Sequence, residues 1–217
     1  MSAGTTLTST DGCLENAHTA ARRKMDARKG NQMDEAFERK LRELIDRQEI
    51  LSVLLRYTRG IDRLDRELLR SCYHDDAFDD HHIFAGHAND FIEWALNFHG
   101  TYNTVHHHGI NNHTCELDDD DAHAETYYTF IGANRQPPHL LSIGRYIDHF
   151  QKREGVWKIA NRVCVIEKTF DILETADRTA EAGDLSYGPL RPTSRSREDL
   201  SYRRPVQPRR PLGRDES

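Results

Sequence analysis

The 217-residue sequence is short of cysteine, of apolar runs, and of proline everywhere but at one end. Each shortage removes a class of protein. No apolar stretch approaches the ~18–20 residues that span a bilayer; patches such as 52–55 and 163–166 are far too short, so no membrane partner is expected. The first residues lack the apolar segment of a secretory leader, and a cytoplasmic location is expected. Cys13, Cys72, Cys115 and Cys164 include no Cys-x-x-Cys pair, which argues against a zinc knuckle, a redox motif or a disulfide framework. Neither Gly-x-Gly-x-x-Gly nor Gly-x-x-x-x-Gly-Lys-Ser/Thr occurs, so the common nucleotide-binding loops have no support.

What is abundant is histidine. Twelve of the 13 histidines lie between His74 and His149, and imidazole both titrates near neutrality and ligates metals. The termini differ from this middle. Residues 1–34 hold no Phe, Tyr or Trp and cannot offset the entropy of their own ordering, so they are read as a disordered extension. Five of the seven prolines follow residue 188, and 191–217 carries eight arginines against four acids, so 175–217 is read as an extended or disordered Pro/Arg-rich arm. Without interleaved aromatics its arginines are a weak nucleic-acid signal, and nucleic acid is not an expected partner. The arm is instead read as solvated, or as wrapping its own acidic body or a neighbouring subunit.

The domain proper is placed at 35–174. Leu41, Leu44, Ile45, Ile50, Leu51, Val53, Leu54, Leu55 and Ile61 recur at three- and four-residue spacings, which predicts helix with one buried stripe and a break near 46–48. Residues 65–73 repeat the pattern and lead into a helical 73–77; 91–98 gives a short helix. The period then changes. Residues 104–113, 122–131, 140–151 and 156–168 read as strands, the last two joined by Arg153-Glu154-Gly155. Helices followed by a strand meander predict an α+β fold, with helices on one face of a curved antiparallel sheet.

Two places could carry chemistry. Asp62 follows the buried stripe of Leu54, Tyr57 and Ile61, where a carboxylate is costly unless paired; orienting a histidine is one solution and ending a helix is the plainer one. In Thr104-Val105-His106-His107-His108-Gly109-Ile110-Asn111-Asn112-His113, alternation places His106, His108, Ile110 and Asn112 on one face. Such a face suits a general base, a metal or plain structural histidines. The acid expected after a metal-binding His-x-His strand is replaced by Asn112, so no metal is assigned. Asp79-Asp80-His81-His82 reads as surface, with His81 able to enter a cavity mouth. Arg162, on the strand that starts Val156-Trp157-Lys158, is either salt-bridged or an anion-stabilising cavity residue.

In series, Arg56-Tyr57-Thr58-Arg59-Gly60-Ile61-Asp62-Arg63-Leu64-Asp65, Cys72-Tyr73-His74-Asp75-Asp76-Ala77, Asn112-His113, Glu116-Leu117-Asp118, Ala122-His123-Ala124-Glu125-Thr126-Tyr127 and Gly155-Val156-Trp157-Lys158-Ile159 resemble the SnoaL-like branch of the nuclear-transport-factor-2-like superfamily. The chain is similar there to scytalone dehydratase and hexachlorocyclohexane dehydrochlorinase. The resemblance implies a cone-shaped α+β barrel around a deep pocket, and catalysis without metal or organic cofactor. It implies that Asp62 orients a histidine general base, His108 or else His106, and that Tyr57 and Arg162 meet developing charge, with His106, Asn112 and His81 in the pocket. The lysine of the dehydrochlorinase is replaced by Tyr57, which favours a hydroxylated substrate over a halide. The implied function is a lyase or dehydratase acting on a hydrophobic, oxygenated, aromatic small molecule. An isomerase or cyclase of the same fold, or a non-catalytic binding or assembly module, are the alternatives. A homo-oligomer, trimer or dimer, is expected from the exposed sheet face.

Overall fold

The computed structural model describes residues 11–173 and 194–206. They divide into two compact units, one ending at Asp46 and one beginning at Arg47. Helix α1 runs Asp11–Asp62. The chain is therefore helical well before residue 35. Absence of aromatics removes packing partners but not helix propensity, and 11–62 contains no proline and many Ala, Arg, Lys and Glu. The polar trio at 46–48 does not interrupt α1 either, since solvated polar side chains are compatible with a helix. The single buried stripe expected from Leu41 onward begins only at Ile50. Met33, Phe37, Leu41, Leu44 and Ile45 are exposed, whereas Ile50, Val53, Leu54, Tyr57 and Ile61 are buried.

The α1 terminus sets up everything that follows. Leu64 takes a left-handed φ of 51°, and the amides of Leu64 and Asp65 return to the carbonyls of Ile61 (3.2 Å) and Gly60 (2.8 Å). This Schellman closure ends the helix at Asp62. Asp65 then caps α2 (Arg66–Arg70) through Leu68 N–H. Gly60 permits the tight reversal, because a Cβ there would lie 2.9 Å from the Leu69 nitrogen.

Strands β1 (Tyr73–Asp80) and β2 (Ala85–His87), helix α3 (Ala88–Tyr102) and strands β3 (Asn103–Asp118), β4 (Asp121–Asn134), β5 (His139–Arg153) and β6 (Val156–Ile172) complete the α+β fold. The sheet order is β2-β1-β6-β5-β4-β3. It is mixed and open rather than wholly antiparallel and closed, since β1 pairs with β6 in parallel. Residues 73–77, expected as helix, are the start of β1. Pairing with central β6 and burial of Tyr73, Ala77 and Asp79 outweigh the local signal, and the alternation is inverted in hydropathy, with Asp79 inside and Phe78 outside.

Two of the sheet's register shifts bear on the site. Gly144 sits at a register shift between β5 and β6, where a Cβ would meet the Val165 carbonyl at 2.1 Å. In β3 the register slips by one residue between Ile110 and His113. That bulge turns Asn112 to the exposed side and His113, Cys115 and Leu117 inward. The expected placement of Asn112 beside His108 is thereby corrected. Among the described residues no helix is long and apolar enough to cross a membrane.

Of the expected C-terminal arm, 194–206 is described, with a single 3₁₀ turn at Leu200–Tyr202; the boundary near 174 and the last residues lie outside the described residues. The segment lies against its own body. Tyr202 Oη donates to Asp65 (2.8 Å), Arg197 pairs with the same carboxylate (3.2 Å), and the Arg59 guanidinium covers the Tyr202 ring at 4.5 Å.

Candidate active site

The helix end and the first half of β3 meet at one carboxylate. Asp62 Oδ1 accepts a 2.7 Å hydrogen bond from His108 Nδ1, and Oδ2 accepts the His108 backbone N–H at 3.1 Å. Ring and backbone of one residue are thus fixed by one side chain. With Nδ1 protonated toward Asp62, the unprotonated Nε2 is left for the cavity that His108 lines. Both side chains are largely buried, at 8% and 14% exposure.

His106 lies on the same face but holds a different post. Its Nε2 donates to the Ile61 carbonyl (3.0 Å), 3.8 Å from Asp62, and its Nδ1 accepts from Arg195 Nη1 (3.3 Å). It does not line the cavity. Burial, then the charge of His108, lowers its pKa to about 4, so it is neutral at physiological pH. His99 of α3 stacks on it at 4.3 Å and holds Asn103 through Nδ1 (2.9 Å). Burial, followed by His108 and His106, lowers His99 to about 2. Arg195 closes the back of this stack, donating to the carbonyls of His99 (2.8 Å) and Asn103 (2.7 Å) at the end of α3. A cation belongs there, where helix carbonyls converge.

The cavity, of about 150 Å³, has walls of Phe91, Trp94, Phe98, Phe130 and Leu140, with Tyr146 and Ser142 from β5. A second Asp–His pair reaches it. Asp79 is fully buried, accepts from Tyr73 Oη (2.6 Å), and is hydrogen-bonded through Oδ1 to His81 Nδ1. The His81 ring stacks on Phe91 at 4.4 Å and lines the cavity, with Nε2 3.4 Å from Tyr57 Oη. Burial alone would lower the His81 pKa; the charge and hydrogen bond of Asp79, helped by Cys164, raise it to about 9.

Tyr57 and Arg162 stand one layer behind. Arg162 is fully buried and bound bidentately to Asp148 (2.6 and 2.8 Å). It is sandwiched between the rings of Tyr57 (4.1 Å) and Tyr146 (4.2 Å). Neither Arg162 nor Tyr57 is a cavity-lining residue, so each reaches a ligand through a neighbour: Tyr57 through His81, Arg162 through Tyr146. His99 and Arg195 are additions to the residues named from sequence, and Asp79, read there as surface, is instead fully buried. The available signal was the Ala77/Asp79 alternation, hidden once 73–77 was read as helix.

Asp62, His106 and His108 each place one ligand atom within 4.8 Å of the others, the spacing of a metal trio. His106 Nε2 faces a carbonyl and His108 Nδ1 a carboxylate, so both carry protons. A cation there would have to displace both hydrogen bonds, and the trio fits a hydrogen-bonded relay better than a metal centre.

A family model for the SnoaL-like domain matches residues 42–163. Among solved structures, a protein assigned as a scytalone dehydratase from Novosphingobium aromaticivorans DSM 12444 is 20% identical, covering 62% of this chain and 92% of its own, with a TM-score of 0.56. Hexachlorocyclohexane dehydrochlorinase LinA-type3 from Novosphingobium barchaimii LL02 is 18% identical, covering 63% and 96%, with a TM-score of 0.58. A protein of unknown function with a cystatin-like fold from Nostoc punctiforme PCC 73102 is 18% identical, covering 57% and 92%, with a TM-score of 0.50. At these identities the likeness is one of fold. No curated protein sequence is a significant match.

Proposed function

The chain belongs to the SnoaL-like family, and from that premise we propose that it is a cofactor-independent lyase that eliminates water from, or cleaves a carbon–carbon bond in, a hydrophobic, oxygenated, aromatic small molecule. One observation carries the reading: His108 Nδ1 is bound to Asp62 at 2.7 Å, while the ring lines an aromatic cavity. Asp62 holds the tautomer and stabilises the imidazolium that forms when Nε2 takes a proton from the substrate. The carboxylate is tied to the His108 backbone as well, so ring orientation is set before substrate arrives. The aromatic walls select a flat apolar body, and exclusion of water strengthens each charge interaction inside.

The aldol of benzaldehyde and acetone is a suitable probe, because loss of water yields conjugated benzalacetone and carbon–carbon cleavage yields benzaldehyde. Wild-type protein is expected to form one of these products faster than buffer. Asp62→Asn and His108→Ala should each reduce kcat by about 10²–10⁴-fold with an unchanged circular dichroism spectrum. Full activity in both variants contradicts the reading.

A further inference from the structure

We propose that His81, held by Asp79, is the general acid opposite His108, donating a proton to the oxygen that leaves, so that the substrate is a β-hydroxy carbonyl compound. The inference rests on the lyase reading and adds to it the leaving group and the residue that serves it.

Both imidazoles line the same cavity, each anchored through Nδ1 by its own aspartate, which leaves each Nε2 for a ligand. The two carboxylates differ in burial and in their other partners. Asp79 is wholly buried, and a buried carboxylate needs a counter-charge. The nearby buried cation, Arg162, is already matched bidentately by Asp148. Tyr73 gives Asp79 only a neutral hydrogen bond, so the positive partner is His81 as imidazolium. Its high pKa follows from this pairing, and at neutral pH it carries the proton an acid needs. Asp62, by contrast, is 14% exposed and accepts the His108 backbone N–H as well as the ring, so it depends less on a charged imidazole. Stacking on Phe91 fixes the His81 ring plane. The 3.4 Å contact of its Nε2 with Tyr57 Oη is long for a hydrogen bond, and a substrate oxygen can take the better place.

The step balances. His108 Nε2 takes the hydrogen α to the carbonyl, the C–H electron pair becomes the new C=C bond, and the C–O bond breaks toward oxygen. That oxygen takes the His81 Nε2 proton and departs as water. His108 then holds one more proton and His81 one fewer, and exchange with solvent restores both. Hydroxide leaves poorly without a proton, whereas halide or carboxylate does not need one; an acid poised at the cavity is therefore a mark of a hydroxyl leaving group.

The test compares two probes in the full-length protein: the benzaldehyde–acetone aldol and its acetate ester, which expels acetate without protonation. His81→Asn should lose at least about 100-fold in turnover of the aldol while keeping the ester within about threefold of wild type. Because His81→Asn leaves Asp79 buried and unpaired, the double variant Asp79→Asn/His81→Asn repeats the measurement without that charge and should give the same split. Equal loss of both probes, or loss of neither, overturns the acid role and leaves the lyase reading standing. A wild-type protein inert toward both probes withdraws the lyase reading and this assignment with it.

Discussion

Asp62 spends both oxygens on His108, while His106, two residues away on the same strand, is tied to a main-chain carbonyl. Strand alternation alone places the two histidines side by side and leaves the choice between them open. What separates them is the Schellman turn, which presents the Ile61 carbonyl to one and the Asp62 carboxylate to the other. His106→Gln is therefore expected to keep turnover within about tenfold of wild type, against the far larger loss at His108; equal losses in steady-state rates would show that the two share the work. The histidine excess also predicts a pH dependence of stability. His99 and His106 are held neutral, with pKa values of about 2 and about 4, whereas in the unfolded chain they titrate near ~6.5. Below that pH the unfolded state binds more protons, so stability falls as the medium is acidified from about pH 6.5 to 5. His81 works in the other direction: its folded value of about 9 gives stability that is full below ~6.5 and lost as pH rises through 9. Melting temperatures should peak near neutrality, and a curve flat between pH ~5 and ~6.5 contradicts the assignment.

At the scale of elements, the strands of the meander were legible from their β-branched and aromatic residues, but β1 was not. Its Asp-rich sequence has little strand propensity, and only pairing with β6 makes it a strand. The bulge in β3 was equally hidden, since Gly109-Ile110-Asn111-Asn112 carries no mark of which residue is extra. Deleting Asn112 restores simple alternation with His106, His108, His113, Cys115 and Leu117 all still inward, and removes the bend that the extra residue puts into β3 beside the site. Loss of the cooperative melt or of activity is expected, and a variant with wild-type melt and turnover would show that the bulge does not set the site. The segment 194–206 gives a further test. Arg195→Ala removes charge-assisted bonds to the His99 and Asn103 carbonyls and is expected to cost ~1–3 kcal/mol in chemical denaturation; no change in the midpoint would show the segment to be a passive passenger. An arm that wraps its own acidic body is one of the readings its composition allows, and the contacts of Tyr202 and Arg197 with Asp65 are of that kind.

For the whole molecule, one face of the sheet carries the site and the other exposes several apolar side chains around the Glu125–Arg145–Glu167 ion pairs. Tyr127, Ile131, Ile147, Val163 and Phe170 are all exposed there across β4, β5 and β6. Single exposed apolar residues are ordinary, but several on one sheet face suit a surface that a partner covers. A second copy of the chain is the proposed occupant, in keeping with the expectation of a homo-oligomer; Ile147→Asp with Val163→Asp should lower the sedimentation coefficient to that of a single chain, and a wild-type protein already monomeric at micromolar concentration contradicts it. Fold class was readable from the order of helix and strand periods, and the site only through the series of motifs, because the partners of Asp62 and Asp79 are set by contacts far apart in sequence. The central claim is that His108, oriented by Asp62, removes a proton from carbon. Deuterium exchange into benzylacetone, a ketone with no leaving group, isolates that act. Followed by NMR in D₂O, exchange at the carbons flanking the carbonyl should be accelerated by the wild-type protein and fall to the buffer rate in His108→Ala; exchange as fast in His108→Ala as in wild type would contradict the account.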